Sequence, residues 1–167
     1  TAYMHQVVAE RMTDVLVPHH VTDAMRWGID NEGNAKLVFE ARTGRKIRPA
    51  AYVDHPTIEH CGATPDGYVE DGLIEIKCPT MTKYIGWLLA GVVPEEHKPQ
   101  MALQMLCTGK PWVDFVAFDP RMPEDKSMFI RRYVPTPEYL AEVERAAIKF
   151  LAECEALFDA VTTANYG

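Results

Sequence analysis

Across residues 2–16 the apolar positions Tyr3, Val7, Val8, Met12, Val15 and Leu16 recur at helical spacing, and Pro18 stops the pattern. A second helix is predicted over residues 23–42, with Thr22 as its N-cap, Met25, Trp27, Ala35, Val38 and Phe39 on its apolar side, and Gly44 just past its end. The period then shortens to two, in runs at residues 51–54, 57–63, 67–70 and 73–78 separated by prolines and turn residues, which predicts an antiparallel meander. Asp71-Gly72 between the last two runs predicts a hairpin with positive φ at both turn residues. Residues 82–90 and 99–108 return to helical spacing and residues 112–119 and 128–134 to strand character. Thr136-Pro137-Glu138 then opens a long terminal helix with a cap, a proline at its first position and an early acid; Leu140, Val143, Ala147, Phe150, Leu151, Cys154, Leu157 and Phe158 form its stripe. No linker or repeat interrupts the series. The expected fold class is α+β, a single domain over residues 1–167 with a central mixed sheet flanked by helices.

Composition adds limits. The 167 residues are 47% hydrophobic and 25% charged, the balance of a folded globular domain. A chain of this size hides about 70% of its unfolded surface, so its core needs no metal staple and any metal is expected to be catalytic. The formal charge of −7 disfavours a nucleic-acid partner without excluding one, because an acidic metal cage and a local basic channel can coexist. Cys61, Cys78, Cys107 and Cys154 form no CxxC pair and follow no secretory signal, so they are expected to be reduced cytoplasmic thiols. No apolar run is long enough to span a membrane. The chain begins on Thr1 rather than Met, which points to a segment upstream.

The chemistry concentrates in Thr64-Pro65-Asp66-Gly67 and Leu73-Ile74-Glu75-Ile76-Lys77-Cys78-Pro79. In a strand Glu75 and Lys77 project to one face while Ile74, Ile76 and Cys78 pack on the other. A hairpin can bring Asp66 beside them. Two carboxylates, the Ile76 carbonyl and an ammonium in one small volume form the donor set of metal-assisted phosphodiester hydrolysis, with Mg²⁺ the expected ion.

Asp66…Glu75-Ile76-Lys77 resembles the PD-(D/E)xK nuclease superfamily. Trp27-Gly28, Glu32, Thr64-Pro65-Asp66-Gly67, Glu75-Ile76-Lys77-Cys78-Pro79, Gln100 and Asp119-Pro120-Arg121-Met122, in that order, resemble more closely the phage lambda exonuclease or YqaJ-like viral recombinase family. The resemblance implies a restriction-endonuclease-like core and a homotrimeric ring that threads double-stranded DNA ends. It further implies 5′-to-3′ degradation of one strand, leaving a 3′ overhang for a single-strand annealing protein, in a bacterial host's cytoplasm under phage or prophage coding. By the same resemblance Asp66, Glu75 and the Ile76 carbonyl hold Mg²⁺, for which Mn²⁺ substitutes. Lys77 positions the water, and Glu32 and Gln100 complete the site, Glu32 as a further metal ligand. Related bacterial nucleases often carry Gln-xxx-Tyr where this chain has Gln100-xxx-Gln104, so the resemblance leaves the role of Gln104 open. It assigns no 5′-phosphate pocket either.

Plainer readings stand beside these. Pro65-Asp66-Gly67 is a common turn, Glu75 and Lys77 can form a solvated strand face, Glu32 can pair with Lys36 at i,i+4, and Gln100 and Gln104 can face solvent. His19, His20, His55, His60 and His97 lack ligand spacing. Arg42, Arg45, Lys46 and Arg48 are the densest basic run and the expected DNA contacts, with Lys83, Lys98, Lys110, Arg131 and Arg132 as further candidates. The rival functions are a PD-(D/E)xK endonuclease, structure-specific or restriction-like, and a catalytically inactive DNA-binding module.

Overall fold

The computed structural model describes residues 2–18 and 20–164; expectations on Thr1, His19 and residues 165–167 lie outside them. Helix α1 (Ala2–Thr13) ends three residues earlier than its apolar spacing predicts, because Asp14 turns left-handed at φ 54°. Helix α2 (Asp23–Thr43) has the expected caps: Thr22 Oγ1 accepts from the Met25 N–H at 3.2 Å, and left-handed Gly44 donates its N–H to Glu40 O at 2.9 Å.

The expected meander is split between two sheets. Strands β2 (Val53–Asp54) and β3 (Gly62–Ala63) pair only with each other, and most of the run at 57–63 is a loop. His55 causes this: its Nδ1 accepts the N–H groups of Thr57 (3.3 Å) and Ile58 (3.1 Å), withdrawing them from a ladder. Strand β1 (Ile47–Arg48), too short to leave a periodic signal, starts the main sheet beside β4 (Gly67–Val69). The sheet continues with β5 (Gly72–Lys77), β6 (Val113–Phe118) and β7 (Met128–Tyr133) in the order β1-β4-β5-β6-β7, antiparallel except for the central β5–β6 pair.

The β4–β5 hairpin turns one residue earlier than Asp71-Gly72 predicts. Val69 pairs with Gly72, Glu70-Asp71 is the loop, and only Glu70 takes positive φ, at 53°. Gly72 serves packing instead: a Cβ there would meet the Trp112 ring at 2.3 Å.

A parallel pair needs a crossover, supplied here by α3 (Met81–Ala90) and α4 (Lys98–Thr108), with a short 3₁₀ turn at Glu95–His97 before α4. Leu73, Val113, Phe115 and Ala117 pack on one face of the sheet with Tyr84 of α3, Met101 and Met105 of α4, and Tyr139 and Leu140 of α5 (Pro137–Thr163). Ile74, Ile76, Cys78, Val116 and Phe118 face α2 through Ala35 and Phe39. The alternation along β5 is the one its sequence predicts. Helix α1 lies on α5, where Tyr3 stacks on Phe150 with ring centres 5.6 Å apart and Arg11 covers Phe158 and pairs with Glu155. The α+β architecture with a central mixed sheet and flanking helices is thus the observed one. No helix among the described residues is long and apolar enough to cross a membrane.

Candidate active site

A cleft of about 520 Å³ opens between the first half of α2, the end of β5, and helices α3 and α4. Glu32, Asp66, Glu75, Ile76, Lys77 and Gln100 all line it. Asp66 stands just ahead of β4, and its Oδ2 accepts the Ile76 N–H at 2.6 Å, which holds the segments carrying Asp66 and Glu75 in register. Glu75 is completely buried, so its carboxylate depends on donors from the protein. Three reach it: Gln100 Nε2 to Oε1 at 2.7 Å, Gln104 Nε2 to Oε2 at 2.7 Å, and Lys77 Nζ to Oε1 at 2.5 Å. Gln100 and Gln104 are one turn apart on α4, so a single helix face grips both oxygens.

Burial and the charge of Glu75 push the Asp66 carboxyl up to about 7; Glu32 adds to the rise, while the Ile76 N–H and Lys77 oppose it. A nearby divalent cation would favour the ionised form and reverse that direction. Among the described residues no three His, Cys, Asp or Glu side chains make a ready cluster of ligands. Asp66, Glu75 and the Ile76 carbonyl nevertheless supply hard oxygens on one cleft wall, a set that fits Mg²⁺ completed by water and phosphate oxygens. Glu32 lines the cleft, and its Oε1 pairs with Lys36 Nζ at 2.7 Å, the i,i+4 contact that the spacing predicts.

The sequence leaves the role of Gln104 open and favours a solvent-facing position, yet it is 1% exposed and bonded to Glu75. Its i,i+4 relation to Gln100 was the available signal, but spacing alone does not distinguish an inward face from a solvated one. His97 also lines the cleft. It stacks on Phe115 and meets the edge of Trp87, and burial, with the Lys77 charge, holds its imidazole below the ordinary range. Lys83 lies nearby, with Nζ 3.0 Å from Glu96 and 5.3 Å from the Trp87 ring centre.

The basic run is not part of the cleft lining. Arg42 donates to Ser127 Oγ at 2.8 Å, Lys46 pairs with Glu40 at 2.7 Å, and Arg48 reaches Glu70 O at 3.3 Å and lies over Tyr68. Arg45 and Arg132 share Asp114, a buried acid on β6: Arg45 Nη1 at 2.5 Å, Arg132 Nε at 2.9 Å and Nη2 at 3.1 Å. Arg132 also covers the Trp112 ring at 3.5 Å. Asp119-Pro120-Arg121 is scaffold as well. Fully buried Asp119 takes Arg121 Nε and Nη2 at 2.8 and 2.7 Å, and Arg121 lies 4.1 Å over Trp27, tying α2 to the end of β6. The four cysteines are free and buried.

A family model, the YqaJ-like viral recombinase domain, matches residues 2–111. No curated protein matches the chain. Among solved structures, an alkaline exonuclease (LHK-Exo) from Laribacter hongkongensis is 37% identical with a TM-score of 0.90, covering 96% of this chain and 82% of its own; the same protein in complex with dAMP superposes equally well. A phage related exonuclease from Haemophilus somnus 129PT, 12% identical with a TM-score of 0.68 over 97% of this chain and 82% of its own, shares the fold. The match over residues 2–111 and the likeness to LHK-Exo across nearly the whole chain make it a member of the YqaJ-like viral recombinase family.

Proposed function

We propose that this chain is a Mg²⁺-dependent exonuclease that degrades one strand of linear double-stranded DNA from its 5′ end and leaves a 3′ overhang. The observation that carries the reading is the convergence of Asp66, Glu75, the Ile76 carbonyl and Lys77 on one cleft, in a chain 37% identical to an alkaline exonuclease over 96% of its length. A complex of that relative with dAMP supports a mononucleotide as the product.

Asp66, Glu75 and the Ile76 carbonyl would hold the metal, with Glu32 as a further ligand. Bound there, Mg²⁺ supplies Lewis-acid stabilisation of the charge that develops on the scissile phosphate. Lys77 directs the attacking water through its ammonium hydrogens, and Gln100 keeps the Glu75 carboxylate turned to the cleft. Water oxygen bonds to phosphorus as its proton passes to solvent, the bond from phosphorus to the 3′ oxygen breaks, that oxygen takes up a proton from solvent, and a 5′ mononucleotide leaves. Arg42, Arg45, Lys46 and Arg48, with Lys83 at the cleft, are the proposed contacts to DNA phosphates. The active assembly is a homotrimeric ring that hands its overhang to a single-strand annealing protein in the bacterial host's cytoplasm, and Mn²⁺ substitutes for Mg²⁺.

The test is digestion of linear duplex labelled at the 5′ or 3′ end, with a covalently closed circle and Asp66→Ala as controls. Early release of the 5′ label from linear DNA alone is expected. Cleavage of the circle would replace this reading with an endonuclease, and binding without any product would replace it with an inactive module. Sedimentation of the protein at working concentration tests the trimer.

A further inference from the structure

Resting on the nuclease reading above, we propose that Gln104 is a positioning residue whose amide pins the inner oxygen of Glu75 and ties it to the turn before Asp66, so that the outer oxygen is presented to the cleft and its divalent cation.

The terminal torsion of a glutamate is soft, so a metal-binding carboxylate keeps one orientation only if its oxygens are held. Gln100 lines the cleft and holds Oε1, whereas Gln104 lies beneath it and holds Oε2. The same Nε2 lies 3.4 Å from Thr64 O, two residues before Asp66, so one amide links the segments that carry both carboxylates. Oε1 already receives Gln100 and Lys77, which fill its two lone-pair positions. A cation entering from the cleft must displace one of them. Lys77 is the group with room to leave, its side chain 28% exposed on a flexible stem, and Gln104 keeps the carboxylate from turning when it does. Gln104 Oε1 is buried without a hydrogen-bond partner among the described residues. A methionine would fill the same space without that orphan carbonyl, so what the glutamine contributes is its donor.

The test substitutes Gln104→Met, which keeps volume and removes the donor, and Gln104→Ala, which leaves room for water. Binding of Mn²⁺ alone is followed by its paramagnetic resonance signal, and thermal unfolding checks that each variant is folded. Loss of a group that orients a metal ligand weakens metal binding by about 10–100-fold. A Mn²⁺ dissociation constant raised at least about tenfold is therefore expected in whichever variant folds, with the Mg²⁺ concentration for half-maximal digestion raised in parallel and KM for DNA unchanged. A folded variant of either kind that binds Mn²⁺ within about twofold of the parent protein overturns the proposal. Lys77→Ala separates the two readings: full activity in that variant removes the nuclease mechanism whatever Gln104 does. Lost activity with retained Mn²⁺ binding leaves the Gln104 result to stand alone.

Discussion

Replacing Asp114 with asparagine is expected to cost about 3 kcal/mol of stability and nothing in chemistry per folded molecule. Asp114 is 2% exposed and accepts three hydrogen bonds from two guanidinium groups. Asparagine keeps one acceptor and turns an amide donor toward groups that can only donate. Removing one partner of a buried ion pair costs about 3–5 kcal/mol. The side chains of Arg45 and Arg132 are 22% and 45% exposed, so both recover some water, which places the loss at the lower end of that range. For a chain of this size each kcal/mol lowers Tm by about 2–4 °C, so Asp114→Asn should melt about 6–12 °C earlier. Urea titration followed by circular dichroism gives the free energy, and a double-mutant cycle with Arg45→Met should show that the second change costs less once Asp114 is gone. Turnover at saturating DNA, corrected for folded fraction, should not change, because Asp114 does not line the cleft, whereas KM for DNA should rise because Arg45, a proposed phosphate contact, loses its support. A loss below about 1 kcal/mol would refute the argument and show that both guanidinium groups are as well satisfied by water as by the acid.

Other outcomes follow from the same packing. Gly72→Ala should destabilise by about 1–3 kcal/mol in urea titration, since the new methyl enters the Trp112 ring. Thr136→Ala removes the oxygen that accepts the Tyr139 N–H at 3.2 Å and should cost about 1 kcal/mol by the same measurement. EDTA should abolish digestion and leave thermal unfolding nearly unchanged, with Mn²⁺ restoring activity, because the core stands on apolar packing. Burial pushes the Cys78 thiol up to about 12 and that of Cys107 to about 11, and raises those of Cys61 and Cys154. Little thiolate therefore exists at pH 8, and iodoacetamide should label the native protein slowly and all four cysteines once it is unfolded.

Most of this architecture is legible in the sequence wherever a local signal and a tertiary one agree. Alternation along residues 73–78 is read correctly because both faces of β5 are committed, Ile74, Ile76 and Cys78 to α2 and Leu73, Glu75 and Lys77 to the side of α3 and α4. The caps Thr22, Gly44 and Thr136 are equally legible, since a cap is decided within four residues. Three features escape for a common reason. The loop at 57–63 depends on the ring of His55, strand β1 exists only through β4, and Gly72 answers to Trp112, forty residues away. The candidate site divides the same way. Asp66, Glu75 and Lys77 are legible as a motif, whereas the inward face of Gln104 and the Arg45–Asp114 pairing are set by how α4 and the basic loop lie on the sheet.

Glu75 stands on β5, which is buried along nearly its whole length, while α2 reserves its buried residues, Ala35 and Phe39, for its second half and leaves Met25 and Ile29 exposed at the cleft mouth. Segments with few buried contacts open at low free energy, and those at the centre of a sheet open near the global limit. The cleft thus has a stiff floor and a compliant wall. Trp27 beneath Arg121 is the anchor of the first turns of α2, so the wall gives at its exposed residues while the carboxylate beneath stays fixed, and amide hydrogen exchange should be faster along residues 23–30 than along residues 73–77.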